Sequence, residues 1–255
     1  MNESKLSINS NPTSKIESKE NKGYDKEFFE LQIQFAKKLS EVTGIPFPEL
    51  LLSHTSLYSR FGLGKVIDAN NPVWQEFISK GDQNLADRAY ELYLQYQRSR
   101  DKKSKRIHFG CFQHDYNPLE KTVYMHFGPQ GEDSPFANLE KRKQELKDMF
   151  EYIKKNYPDA EFVRGHSWLY NLDKYRKFFP PEYSAQPAPS KSLYTGLSTW
   201  GQFLDRKQKT IREAFKTFTT KLQLAKTEQE VADAIPLKPL QVGSSIKNFY
   251  KYLNI

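Results

Sequence analysis

Cysteine is almost missing from this chain. One residue, Cys111, among 255 allows no intramolecular disulfide, which excludes a disulfide-stapled scaffold and agrees with a reducing cytoplasm. Long apolar runs are missing too. Stretches such as Leu50-Leu51-Leu52 fall far short of the roughly 18 residues needed to cross a bilayer, so no membrane span is expected. Residues 1–24 are rich in Ser, Asn and Lys and hold no apolar segment; they read as a disordered tail rather than a secretory leader. Hydrophobic residues make up only 37%, below the roughly 45–50% of an average domain.

Aromatic residues make up for this. Phe, Tyr and Trp number 18, 15 and 3, or 14% of the chain, and each buries a large area. That excludes disorder throughout, a collagen and a coiled coil. The formal net charge is +8, which favours anionic partners.

The hydrophobic spacing divides the chain. From Asp25 the apolar residues Phe28, Leu31, Phe35, Leu39 and Val42 recur at three- and four-residue steps and predict an amphipathic helix, stopped by Gly44 and Pro46. Further helices are predicted from about Pro48, from the cap Asn71-Pro72 and after Asp82, so 25–100 reads as a helical N-terminal part. Then the period becomes two. Residues 107–114 and 122–127 predict a hairpin around Asp115-Tyr116-Asn117-Pro118. Pairing odd with odd positions aligns Ile107, Phe109 and Cys111 with Val123, Met125 and Phe127, and places His108, His114 and His126 together on the other face. A helix over about 136–156, a strand over 161–168, a second strand over 193–200 and a basic helix over about 207–225 with Asp205 as its cap complete 101–255. The fold class expected is α+β: the helical part, then a small, mostly antiparallel sheet with packed helices, the two forming one continuous unit.

Cys111 falls on the apolar face of that hairpin, which argues for a core thiol rather than a nucleophile. The three histidines lack a thiolate or carboxylate at ligand spacing, so no metal is expected. The densest polar and aromatic segment is Arg164-Gly165-His166-Ser167-Trp168-Leu169-Tyr170-Asn171, at the end of a strand, where sites tend to be built. Alternation puts Arg164, His166 and Trp168 on one face. An arginine there suits a carboxylate or phosphate, or else a structural ion pair. A second segment, Trp200-Gly201-Gln202, carries two further candidates. Basic residues interleaved with aromatics, at 98–106 and at Tyr170 to Phe179, offer a route to single-stranded nucleic acid, although no nucleic-acid module is present.

The segments from Arg164 to Leu172 and from Trp200 to Leu204 resemble those of an uncharacterised group of bacterial proteins, over most of 25–255. More loosely, the order hairpin, helix, strand, helix, strand is similar to the core of the N-acetyltransferase (GNAT-like) fold. That resemblance implies an acyltransferase-like protein, with the pyrophosphate of coenzyme A held by loop amides at Gly128-Pro129-Gln130-Gly131-Glu132-Asp133. Pro129 lacks an amide donor and two carboxylates repel phosphate, so no cofactor is expected. The function expected is a cytoplasmic transferase acting on a small anionic or acyl substrate. Arg164, Trp168, Asn171, Trp200 and Gln202 bind the substrate; His166 or His126 is the general base, and Tyr170 the acid. The alternative is a non-catalytic binding protein with a basic surface, nucleic acid included. Convergence of Arg164, His166 and Tyr170 on one concavity discriminates the two. No oligomeric state follows from the sequence.

Overall fold

Asp25 sets where the first helix begins. Its carboxylate accepts the Phe28 amide at 3.2 Å and caps α1 (Lys26–Thr43), and Gly44 donates to the Ser40 carbonyl at 2.9 Å to close it. Phe28, Leu31, Phe35 and Leu39 are all buried along the predicted face. The computed structural model describes residues 23–64, 66–100, 107–128, 134–190 and 194–255. The tail, the basic run at 101–106 and positions 129–133 of the glycine-containing stretch lie outside the described residues.

Helices α2 (Phe47–Ser53), α3 (Leu57–Arg60), α4 (Pro72–Ser79) and α5 (Leu85–Arg100) complete the N-terminal part. The hairpin β1 (Phe112–Asn117) and β2 (Thr122–Phe127) leads into α6 (Leu139–Asn156), whose cap Asn138 accepts from Lys141 N at 2.9 Å. Helix α6 returns the chain to β3 (Phe162–Ser167), parallel to β2. A 3₁₀ turn (Trp168–Asn171) and the short helices α7 (Asp173–Arg176) and α8 (Pro181–Ser184) precede β4 (Ala188–Pro189). Then come α9 (Leu197–Trp200), a 3₁₀ turn (Gly201–Phe203), α10 (Arg212–Leu224) and α11 (Glu228–Asp233), before β5 (Leu240–Ser245) and α12 (Ile246–Leu253). The sheet order is β1-β2-β3-β5-β4, antiparallel except for β2 beside β3. The architecture is α+β. No helix among the described residues is long and apolar enough to cross a membrane.

Two hydrophobic cores form. One lies against the sheet: Val123, Met125, Val163 and Val242 meet Leu146, Phe150, Ile246 and Phe249 from α6 and α12. The other is all helical and draws on distant stretches, because Trp200, Phe203, Phe218 and Leu222 pack with Phe28, Phe35 and Leu39 of α1. The Asp25 carboxylate also accepts the Thr210 amide at 2.7 Å, 185 residues away. Thus the stretch from Tyr194 to Ile235 packs with the N-terminal helices, and β5 alone carries the chain back into the sheet.

Several local expectations are corrected. The hairpin pairs even with odd positions, Phe112 with Phe127 and His114 with Met125. A tight turn at Gly110–Cys111, closed by reciprocal Phe109 and Phe112 backbone bonds at 2.9 and 3.0 Å, breaks the first predicted strand and shifts its register. The histidines therefore share no face: His114 packs among Phe109, Tyr152 and Tyr157, while His126 faces the other way. Among the described residues no three His, Cys, Asp or Glu side chains gather as metal ligands. Residues 197–200 are helical rather than extended, since Trp200 turns into the helical core and donates to the Tyr194 carbonyl at 2.6 Å. The basic helix begins only at Arg212; Asp205 instead accepts the Lys209 amide at 2.8 Å within a loop that Thr210 ties to Asp25. Cys111 is buried, as expected, with Arg142 on its sulfur and Glu145 accepting its amide at 3.0 Å.

Candidate functional site

The strand register decides which side chains leave the core. Residues 124 and 126 of β2, 164 and 166 of β3, 113 of β1 and 241 of β5 all point away from α6. Across the sheet Asp115, Tyr124, Arg164 and Gly243 align in one row, and Gln113 pairs with His126 as Gln241 pairs with His166 in the next. The β2–β3 ladder ends at Met125 and Gly165, although β2 runs on to Phe127 and β3 continues against β5 to Ser167. His126 and His166 are the first residues past this parting.

Gly165 is required there for a steric reason. A Cβ at this position would lie 2.0 Å from the Tyr170 hydroxyl and 2.3 Å from that of Tyr183, and the two hydroxyls bond each other at 3.1 Å beneath the sheet.

Facing the polar side of the sheet is a wall built by α3, α5 and Tyr24. Between them lies a cavity of ≈ 1070 Å³. Gly62 takes a left-handed backbone (φ 75°), and the ring of Tyr96 occupies the space its Cβ would need. Arg60 donates to the Tyr24 hydroxyl at 3.2 Å, its guanidinium 5.7 Å from the centre of that ring, and has no carboxylate partner among the described residues. Arg60, Arg164, His126 and His166 all line the cavity, and among the described residues no Asp or Glu does.

Each sheet-side group has a distinct setting. Arg164 approaches Glu120 at 3.8 Å with both side chains about half exposed, a pairing that holds the guanidinium weakly. The Tyr124 hydroxyl also donates to Glu120. His126 Nε2 lies 3.0 Å from Asp115 Oδ2, so the carboxylate orients that ring. Burial pulls His166 below its ordinary value of 6.5, and its buried Nε2 has no hydrogen-bond partner.

Of the residues singled out from sequence, Arg164, His166 and His126 come together. Tyr170 does not: it is fully buried in the sheet core, its hydroxyl on Tyr183, and burial raises it to about 12. Trp200 is enclosed in the helical core. Asn171 donates to the Trp168 and Lys238 carbonyls at 2.8 Å each, and Gln202 to the Thr199 and Leu237 carbonyls at 2.8 and 3.0 Å; both amides brace loops. Trp168 rests its indole against Gly201. Trp168 and Gly201 thus bring the two predicted segments together as packing beside the cavity, while Arg164 and His166 line it. The opposite wall, with Tyr24, Arg60 and Tyr96, was not legible in the sequence; the signal available was Arg60 two residues before a glycine.

Burial also lowers His54 and His114, which sets a pH dependence of stability. All three histidines titrate below 6.5 when folded and near 6.5 when unfolded. Above about 6.5 neither state is protonated and nothing is lost; as pH falls below it, the unfolded chain takes up protons the folded chain resists, and stability declines. The melting temperature is expected to drop between pH 7.5 and 5.5, and His114→Gln to flatten that drop. A flat profile in the parent protein would contradict the burial of these rings.

The case for this site rests on its own geometry, because no family model, no curated protein and no solved structure matches the chain.

Proposed function

We propose that the cavity binds a small anion and that the chain transfers a group, most simply an acyl group, to or from it. The observation that carries this reading is the wall itself, where two guanidiniums and two imidazoles line the cavity, while Glu120 and Asp115, the partners of Arg164 and His126, are not among the described lining residues. Such a wall repels a cationic amine and attracts a carboxylate or phosphate. Desolvation keeps His166 neutral at pH 7, the form a general base needs. In the transfer step His166 takes the proton of an acceptor hydroxyl as its oxygen bonds to the acyl carbon. The leaving group then departs with its bonding electron pair, and Arg60 and Arg164 offset the negative charge that builds up. The hairpin, helix and parallel strand around the parting of β2 and β3 support the GNAT-like resemblance. Coenzyme A does not fit the residues present: Pro129 and two carboxylates mark its expected loop, and Asn138 already occupies an amide of the α6 N-terminus. No step is derived through it.

Two measurements test the reading. Inorganic phosphate at about 100 times its dissociation constant adds ~2.7 kcal/mol, a rise of several degrees in melting temperature over chloride at equal ionic strength. Arg60→Gln with Arg164→Gln should abolish that rise; its persistence, or its absence from the parent protein, sinks the anion site. For the transfer step the probe is hydrolysis of acetyl phosphate. His166→Asn should slow it by about 10²–10⁴, and the parent rate should fall only at pH values below 6.5. If parent and variant both run at the uncatalysed rate, the protein binds an anion without chemistry.

A further inference from the structure

The cavity is larger than a phosphate or a short carboxylate requires, and its remaining polar groups point to what fills it. Four glutamines line it, Gln97, Gln113, Gln208 and Gln241. None of the four side-chain amides has a hydrogen-bond partner among the described residues. Elsewhere Gln32, Gln75 and Gln202 all bond backbone carbonyls. Gln97 and Gln113 are half-buried where they line the cavity, and Gln208 and Gln241 are exposed, so a bound molecule can take the donors and acceptors of these amides from solvent. Aromatic rings stand on both walls, Tyr96 from α5 and Tyr124 from β2.

We infer that the occupant is a nucleoside phosphate, with its phosphate on Arg60 and Arg164, its base between the walls bearing Tyr96 and Tyr124, and the edge of the base read by Gln97 and Gln113. An amide presents a donor beside an acceptor, the pattern that a base edge also presents. Aromatic side chains stack on any base face. A volume of ≈ 1070 Å³ lies just above the range of small-molecule sites, roughly 300–1,000 Å³, and takes a mononucleotide with room for a second reactant. This inference rests on the reading of the cavity as an anion site.

The experiment is calorimetric titration of the full chain with the four common nucleoside 5′-monophosphates, inorganic phosphate, succinate and a single-stranded trinucleotide. At least one monophosphate should bind tenfold or more tightly than inorganic phosphate. Gln97→Leu with Gln113→Leu should remove that advantage and the discrimination among bases, while leaving phosphate affinity and melting temperature unchanged, which a merely structural role would not do. A trinucleotide that outcompetes every monophosphate supports the same base and phosphate chemistry, with a nucleic-acid end as its source. Phosphate or succinate binding as tightly as every nucleotide overturns the inference and leaves the anion site standing. No binding of any probe overturns both.

Discussion

Trp200→Ala is expected to remove roughly 3–5 kcal/mol of stability, the usual cost of deleting a large aromatic from a packed core. Trp200 is wholly buried. Its ring lies edge-on to Phe35 at 5.4 Å between centroids, near Phe203 and Phe218, and its indole N–H donates to the Tyr194 carbonyl at 2.6 Å. It therefore joins α1, from the start of the chain, to the α9–α10 segment some 165 residues later, and truncation leaves both a void and an unpaired carbonyl. A substrate-binding role, as read from the sequence, makes the opposite forecast: lost binding at unchanged stability. Urea denaturation followed by circular dichroism separates the two. A midpoint change equivalent to less than about 1 kcal/mol contradicts the packing described here, and Trp200→Phe should fall between parent and alanine.

Gly165→Ala should destabilise by about 3 kcal/mol, at the upper end of overpacking costs. The added methyl would lie 2.0 Å from one hydroxyl and 2.3 Å from another, both on fully buried tyrosines that cannot swing into solvent. Tyr170→Phe and Tyr183→Phe each remove one of the offending oxygens. Either is expected to recover part of the loss in Gly165→Ala, although the Tyr170 ring carbon at 2.8 Å keeps the rescue incomplete. In the parent background each Phe substitution strips a buried hydroxyl of its partner and destabilises modestly. A double-mutant cycle reads the coupling directly. Coupling near zero would mean that the tyrosine hydroxyls do not lie under Gly165. Because Gly165 ends the β2–β3 ladder, any Gly165→Ala protein that still folds should also hydrolyse acetyl phosphate more slowly, through displacement of His166.

What could be read along the chain was local. The period of α1, the cap and proline of α4 and the body of α6 are set by residues three or four apart, and alternation correctly puts Arg164 and His166 on one face of β3. Alternation alone does not give the hairpin register, because one turn at Gly110–Cys111 exchanges the faces of the strand residues after it. Tyr170 and Asn171 were drawn into the site by adjacency, but the 3₁₀ turn from Trp168 aims successive side chains in different directions. Trp200 and Gln202 were drawn in by composition, which does not distinguish an aromatic facing a ligand from one facing a core. The cavity has a second wall, and no local rule reaches it. Arg60 and Tyr96 stand opposite Arg164 because α1 packs on α10 and α11, and because β5 returns to pair with β3. Those contacts depend on burial between residues far apart in sequence, and so the tertiary structure alone brings the two walls together.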